Sequence, residues 1–192
     1  METLLSFSVG IGLSAACGFR VFMPLLVVSV AAKAGHLTLA PGFEWVGTYP
    51  ALIAFATATI LEIAGYYIPW VDNVLDTIAS PAAIIAGIVV MASMVQGMSP
   101  FLKWTLVVIA GGGAAGLVQA TTGMTRFASS ATTGGLGNSV VSTIEAAGSF
   151  ILSVLSVLVP FLAVLIVFAI LLYFTNKLIG RSARRGMAKE KN

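Results

Sequence analysis

Apolar runs long enough to cross a membrane recur through this chain. Two of them carry a glutamate in the same setting, Ile60-Leu61-Glu62-Ile63-Ala64-Gly65 and Thr143-Ile144-Glu145-Ala146-Ala147-Gly148. Roughly 20 apolar residues are needed to cross a hydrocarbon core of about 30 Å. An acidic side chain at the bilayer centre costs about 2.5–3.5 kcal/mol on insertion scales, so a glutamate there faces protein, water or a cation rather than lipid. The shared Glu-x-Ala-Gly pattern also reads as the mark of an internal duplication. Together these features predict a small repeated membrane protein with a polar site buried in it.

Only 9% of the residues are charged against 58% hydrophobic, with a mean hydropathy of +1.02. A soluble globular domain carries roughly 25% charged residues, so the expected class is all-α, a polytopic transmembrane helical bundle. Cys17 is the single cysteine, which excludes an intrachain disulfide and reads as a small packed side chain. No basic region precedes the first apolar stretch, so that stretch reads as a membrane segment rather than a cleaved signal. Ser14-Ala15-Ala16-Cys17 loosely resembles a lipoprotein cleavage site, but the apolar segment continues beyond it.

Six crossings are expected, near 4–32, 50–68, 79–97, 102–123, 138–157 and 160–178, with Pro160 marking a tight hairpin between the last two. The first is too long for one straight helix and is interrupted at Gly18-Phe19-Arg20 and at Pro24, so it reads as broken or re-entrant. A second disturbance is expected around Gly111-Gly112-Gly113 and, after Arg126, through Ser129 to Asn138. Irregular backbone at membrane depth survives only under protein or beside a wet cavity. Residues 1–100 then form one membrane repeat, 101–178 a second, and 179–192 a basic tail. Three spans per half would make a 3+3 inverted repeat, with Arg20 matched to Arg126, Glu62 to Glu145 and Pro81 to Pro160, as in secondary transporters whose sites form at broken helices.

Orientation follows from Lys177, Arg181, Arg184, Arg185, Lys189 and Lys191, which cluster at the C-terminus and place it in the cytoplasm. Six crossings put the N-terminus there too, with the loop 33–49, including Lys33, His36 and Glu44, outside. Trp45, Tyr49, Trp70 and Trp104 fall near expected span ends, as interfacial aromatics do. The tail is a topology signal and could also touch anionic lipid.

Gly12-Leu13-Ser14-Ala15-Ala16-Cys17-Gly18-Phe19-Arg20, Leu61-Glu62 with Ile68-Pro69-Trp70-Val71-Asp72 and Asp76, and Ser130 to Asn138 with Ser142 and Glu145 are three separated motifs in one order. Over about residues 8–172 the chain resembles the DUF4126 family. The resemblance implies a multi-span protein of the bacterial inner membrane, and the family name records an unknown function.

Several residues could carry chemistry. A carboxylate in a low-dielectric cavity exchanges protons near neutral pH, which makes Glu62 and Glu145 candidates for proton coupling; the competing reading is a structural ion pair with Arg20 and Arg126. Those arginines are expected at breaks, where a guanidinium suits carboxylate or phosphate. Ser130, Thr133, Gly134 and Asn138 lie in a stretch that precedes a helix, with Asn138 or Ser139 as N-cap and free N–H groups able to hold an anion; an ordinary polar loop is the alternative. Asp72 and Asp76, four apart, share a helix face and could collect a cation, or solvate a turn or cap the third helix. No zinc motif, cofactor motif or catalytic triad is present, and no nucleic-acid partner is expected.

The leading expectation is a small secondary transporter, proton-coupled, moving a small anionic solute or a lipid-linked anion, and not an enzyme. A non-transporting scaffold or accessory subunit and an ion channel are the rivals. The Gly-rich fourth helix offers a close-packing surface for a homodimer.

Overall fold

A computed structural model describes residues 2–189, with side chains for 3–68, 70–72 and 74–176. The side chains of the basic tail, from Lys177 onward, lie outside the described residues. The chain forms α1 Glu2–Cys17, α2 Phe22–Lys33, a 3-10 turn Glu44–Gly47, α3 Tyr49–Gly65, α4 Pro69–Met94, α5 Pro100–Leu106, a π-helical segment Val107–Gly112, α6 Gly113–Thr133, α7 Asn138–Leu158 and α8 Pro160–Lys189. It is an all-α membrane bundle. Trp70–Met94, Pro100–Thr133 and Asn138–Leu158 are each long and apolar enough to cross a membrane, and shorter apolar helices accompany them.

Proline sets several starts. It occupies the first turn of α3, α4, α5 and α8, where its missing N–H would have no intrahelical partner anyway. Pro24 falls in the first turn of α2 for the same reason, so it begins that helix instead of kinking a longer one. Thr48 caps α3, its hydroxyl accepting from Ala51 N–H at 3.4 Å. Gly134 closes α6 with φ +63°, a left-handed conformation that favours glycine.

The first segment reverses direction. Thr3–Val9 at the start of α1, His36–Thr38 after α2 and Met94–Met98 after α4 line one cavity of about 670 Å³. Gln96 Nε2 donates to the Thr38 carbonyl at 3.4 Å, and Ala40 N–H to the Ser93 carbonyl at 2.7 Å. The start of α1 and the exit of α2 therefore share one end of the bundle. Residues 4–32 are thus a helical hairpin with its tip at Gly18–Val21, not one continuous helix. This corrects the expected loop placement: residues 33–49 lie at the N-terminal end of the bundle, not opposite it.

Gly12 on α1 faces both Ser156 on α7 and Ala163 on α8. The chain thus turns back at Val159–Pro160, as the sequence predicts, and α8 runs away from the end where α1 begins. α1 is the central element, packing against α4, α6, α7 and α8.

Small residues let these helices meet backbone to backbone. A Cβ on Gly87 would lie 2.8 Å from the Gly111 carbonyl oxygen, and one on Gly111 would lie 2.7 Å from that of Gly87. Ser14 Oγ donates to the Gly87 carbonyl at 2.8 Å, locking α1 into the same contact. Gly111 and Gly112 are buried against α4, so these two glycines pack the chain on itself. Nor does the glycine run break its helix: residues 107–112 take up π turns and continue into α6.

Candidate functional site

The site forms where the α1–α2 tip meets α4, α6 and α7. Arg126 lies on α6 with Glu145 opposite on α7. Arg126 Nε donates to both Glu145 oxygens at 3.1 and 3.0 Å, and its Nη2 makes a further ion pair with Oε2. Arg126 Nη1 reaches α4, donating to Asp72 at 2.7 Å and to Asp76 at 3.0 Å. One guanidinium therefore ties three helices through three carboxylates. Asp72 is buried and Asp76 is partly open, its side chain 33% exposed.

Arg20 approaches from the hairpin tip. Its Nη2 donates to the Ser142 carbonyl at 2.8 Å and to the Ser142 hydroxyl, and lies 3.4 Å from Glu145 Oε2. The side chain is only 1% exposed, yet its Nε and Nη1 have no hydrogen-bond partner among the described residues. Buried charged groups are ordinarily paired and bonded throughout, so these nitrogens are an exception that asks for a role. Both guanidinium carbons also lie over the Tyr66 ring, Arg20 at 3.8 Å and Arg126 at 4.2 Å from its centroid. Away from water such cation–π contacts contribute about 2 kcal/mol.

Glu62 does something else. Its two oxygens accept the N–H groups of Val21 at 2.8 Å and Phe22 at 3.1 Å, capping the start of α2. The helix dipole favours a carboxylate there. The expected pairing of Glu62 with Arg20 is thus corrected: Glu145 takes both arginines because the tip offers Glu62 free backbone donors at shorter reach. Glu62 and Tyr66 also line a crevice of about 340 Å³ between α2, α3 and α4, with Leu61, Leu75 and Ile78 among its apolar walls.

Other expected placements change as well. Arg126 is inside continuous α6 rather than at a break, since Ser129–Thr133 remain helical. Asp72 and Asp76 belong to α4, which starts ten residues before the expected span, and the cation they meet is Arg126 itself. Asn138 is the first residue of α7 and does not cap it; its side chain donates to Asp72 at 3.1 Å and to Ser130 at 3.0 Å. Thr133 and Gly134 stay outside the cluster. Thr133 Oγ1 accepts from Gly137 N–H at 2.9 Å and donates to the Ser129 carbonyl at 2.7 Å, closing an exposed turn. Tyr66 escaped the sequence reading, although it lies one turn beyond Glu62. Among the described residues no three His, Cys, Asp or Glu side chains are placed to hold a metal ion.

A family model described as a domain of unknown function, DUF4126, matches residues 7–178. The chain belongs to the DUF4126 family. The matched span contains every residue of the charged cluster, so the cluster lies within the family domain. No curated protein and no solved structure matches the chain.

Proposed function

We propose that this DUF4126 member is a small secondary transporter of the bacterial cytoplasmic membrane that couples an anion to protons. The reading is carried by one observation: a buried network in which three carboxylates touch two guanidiniums while Arg20 keeps two unpartnered nitrogens. A purely structural lock would be balanced and fully bonded. Here a proton on Glu145 removes the carboxylate that the two arginines share, and the freed Arg20 guanidinium is a ready partner for an anion. Proton and anion then enter the site together, with Glu145 as the coupling carboxylate, Arg20 as the anion-binding group, and Asp72 and Asp76 restraining Arg126.

The positive-inside rule places the tail end of α8 in the cytoplasm. Because α1 starts at the other end of the bundle, the N-terminus then faces outward, which reverses the expectation of two cytoplasmic termini. An inverted repeat fits this reading through the hairpins α1–α2 and α7–α8, which approach from opposite ends, rather than through a match of Arg20 with Arg126.

Proteoliposomes loaded with a pH-sensitive dye provide the test, challenged with gradients of chloride, nitrate, acetate and inorganic phosphate. Anion-dependent proton entry that disappears in Glu145→Gln is the expected result. Proton movement with none of these anions, or movement unchanged in that variant, counts against it.

The scaffold reading is favoured by a different observation, the complete engagement of Arg126. It requires that variants of the network lose stability while vesicles carrying the parent protein show no flux.

A further inference from the structure

The crevice beside Glu62 bears on what kind of anion such a protein would carry. It is walled by Phe22, Leu61, Leu75 and Ile78, and among the described residues its polar side chains are Glu62 and Tyr66 alone. Leu61 and Ile78 are 66% and 55% exposed, so in a membrane bundle its mouth faces hydrocarbon. At about 340 Å³ it lies at the small end of ligand pockets, which run from roughly 300 to 1,000 Å³. That is room for one chain, not two.

The inner wall of the crevice is Tyr66, and the Arg20 guanidinium lies over the same ring at 3.8 Å. Glu62 is the charged side chain of this wall, but both its oxygens are held by the amides of α2, whose helix dipole partly offsets that charge. Behind the Tyr66 ring stands the cation with open donors, Arg20, whose Nε and Nη1 have no hydrogen-bond partner among the described residues. We propose that the crevice and Arg20 together form a binding site for a single-chain amphiphilic anion, an acyl chain with a carboxylate head that enters from the bilayer. The chain fills the apolar crevice. Its head displaces Tyr66 and takes the open nitrogens of Arg20. This rests on the transporter reading only for the claim that the bound molecule moves; the binding site stands separately.

The test uses the full chain in phosphatidylcholine nanodiscs, with laurate, lauryl alcohol and lauryl-trimethylammonium competing against a fluorescent laurate. Laurate is expected to bind at least about tenfold more tightly than either other headgroup, and Ala58→Phe, which fills the crevice, to weaken it by about tenfold or more. Arg20→Gln should remove the headgroup preference; if that variant does not fold, the headgroup series and Ala58→Phe still decide. Equal binding of all three, insensitive to Ala58→Phe, identifies a groove filled by ordinary lipid chains and overturns the proposal. Tighter binding of the cationic amphiphile overturns it too, as does a dimer cross-linked through Leu61 and Ile78 that binds none of the three. If small anions drive proton entry but laurate does not bind, the crevice inference fails and the transporter stands. If laurate binds without proton movement, the reverse holds.

Discussion

Glu62 and Glu145 share a four-residue pattern and end in different chemistry. Glu145 meets two guanidiniums, while Glu62 caps a helix through two backbone amides. The difference lies in what stands opposite each. The α1–α2 tip interrupts its helix and leaves N–H groups free, so a carboxylate near it is satisfied by backbone. α6 is continuous, its backbone groups are spent internally, and the carboxylate facing it can be satisfied only by side chains. A repeated motif thus marks where charge enters a membrane bundle, and the state of the neighbouring backbone decides what that charge does.

The largest effect that would break this comparison comes from Glu145. Glu145→Leu leaves buried Arg20 without an ion pair among the described residues, while Arg126 keeps Asp72 and Asp76, and is expected to cost about 3–5 kcal/mol in detergent unfolding. The double variant Glu145→Leu/Arg20→Met should recover part of that loss, because Arg126 keeps Asp72 and Asp76; equal losses in the single and double variants would show that the pair is not coupled. Glu62→Gln leaves a weaker cap and should cost about 0.5–2 kcal/mol. Its coupling to Arg20→Met should be smaller than that between Glu145 and Arg20, since Glu62 and Arg20 share no hydrogen bond or ion pair among the described residues and interact only as charges at longer range. A larger coupling in that cycle would mean Glu62 belongs to the ion-pair network after all. The smallest effect is expected at Asp76, which keeps solvent contact. Asp76→Asn should shift stability by no more than about 1 kcal/mol, and by less as salt rises.

Much of this arrangement is legible in the amino-acid sequence. Apolar runs and first-turn prolines mark the helices, and Arg20, Arg126 and Glu145 stand out as charges in apolar surroundings. The reversal at Gly18–Val21 is harder to read, because a kink and a hairpin look alike in sequence. Contacts such as Ser14 with Gly87 and Gln96 with Thr38 settle it, and these depend on residues far along the chain. The polar stretch after Arg126 misleads for a local reason. Its hydroxyls bond back to the helix, Thr132 to the Ala128 carbonyl and Thr133 to the Ser129 carbonyl, so residues that favour turns in water extend α6 instead. Asp72 and Asp76 follow the same logic: Pro69 begins a helix where a turn was expected, and the helix aims both carboxylates at Arg126.

The hairpin at the start of the chain also governs how the protein must be assembled. α1 is made before the helices that enclose it, α4, α6, α7 and α8, and the irregular backbone at Gly18–Val21 cannot rest against lipid. Its final position therefore waits on segments that follow it into the membrane. A chain stopped after α3 should be cleared by membrane proteases, whereas the full chain should resist them.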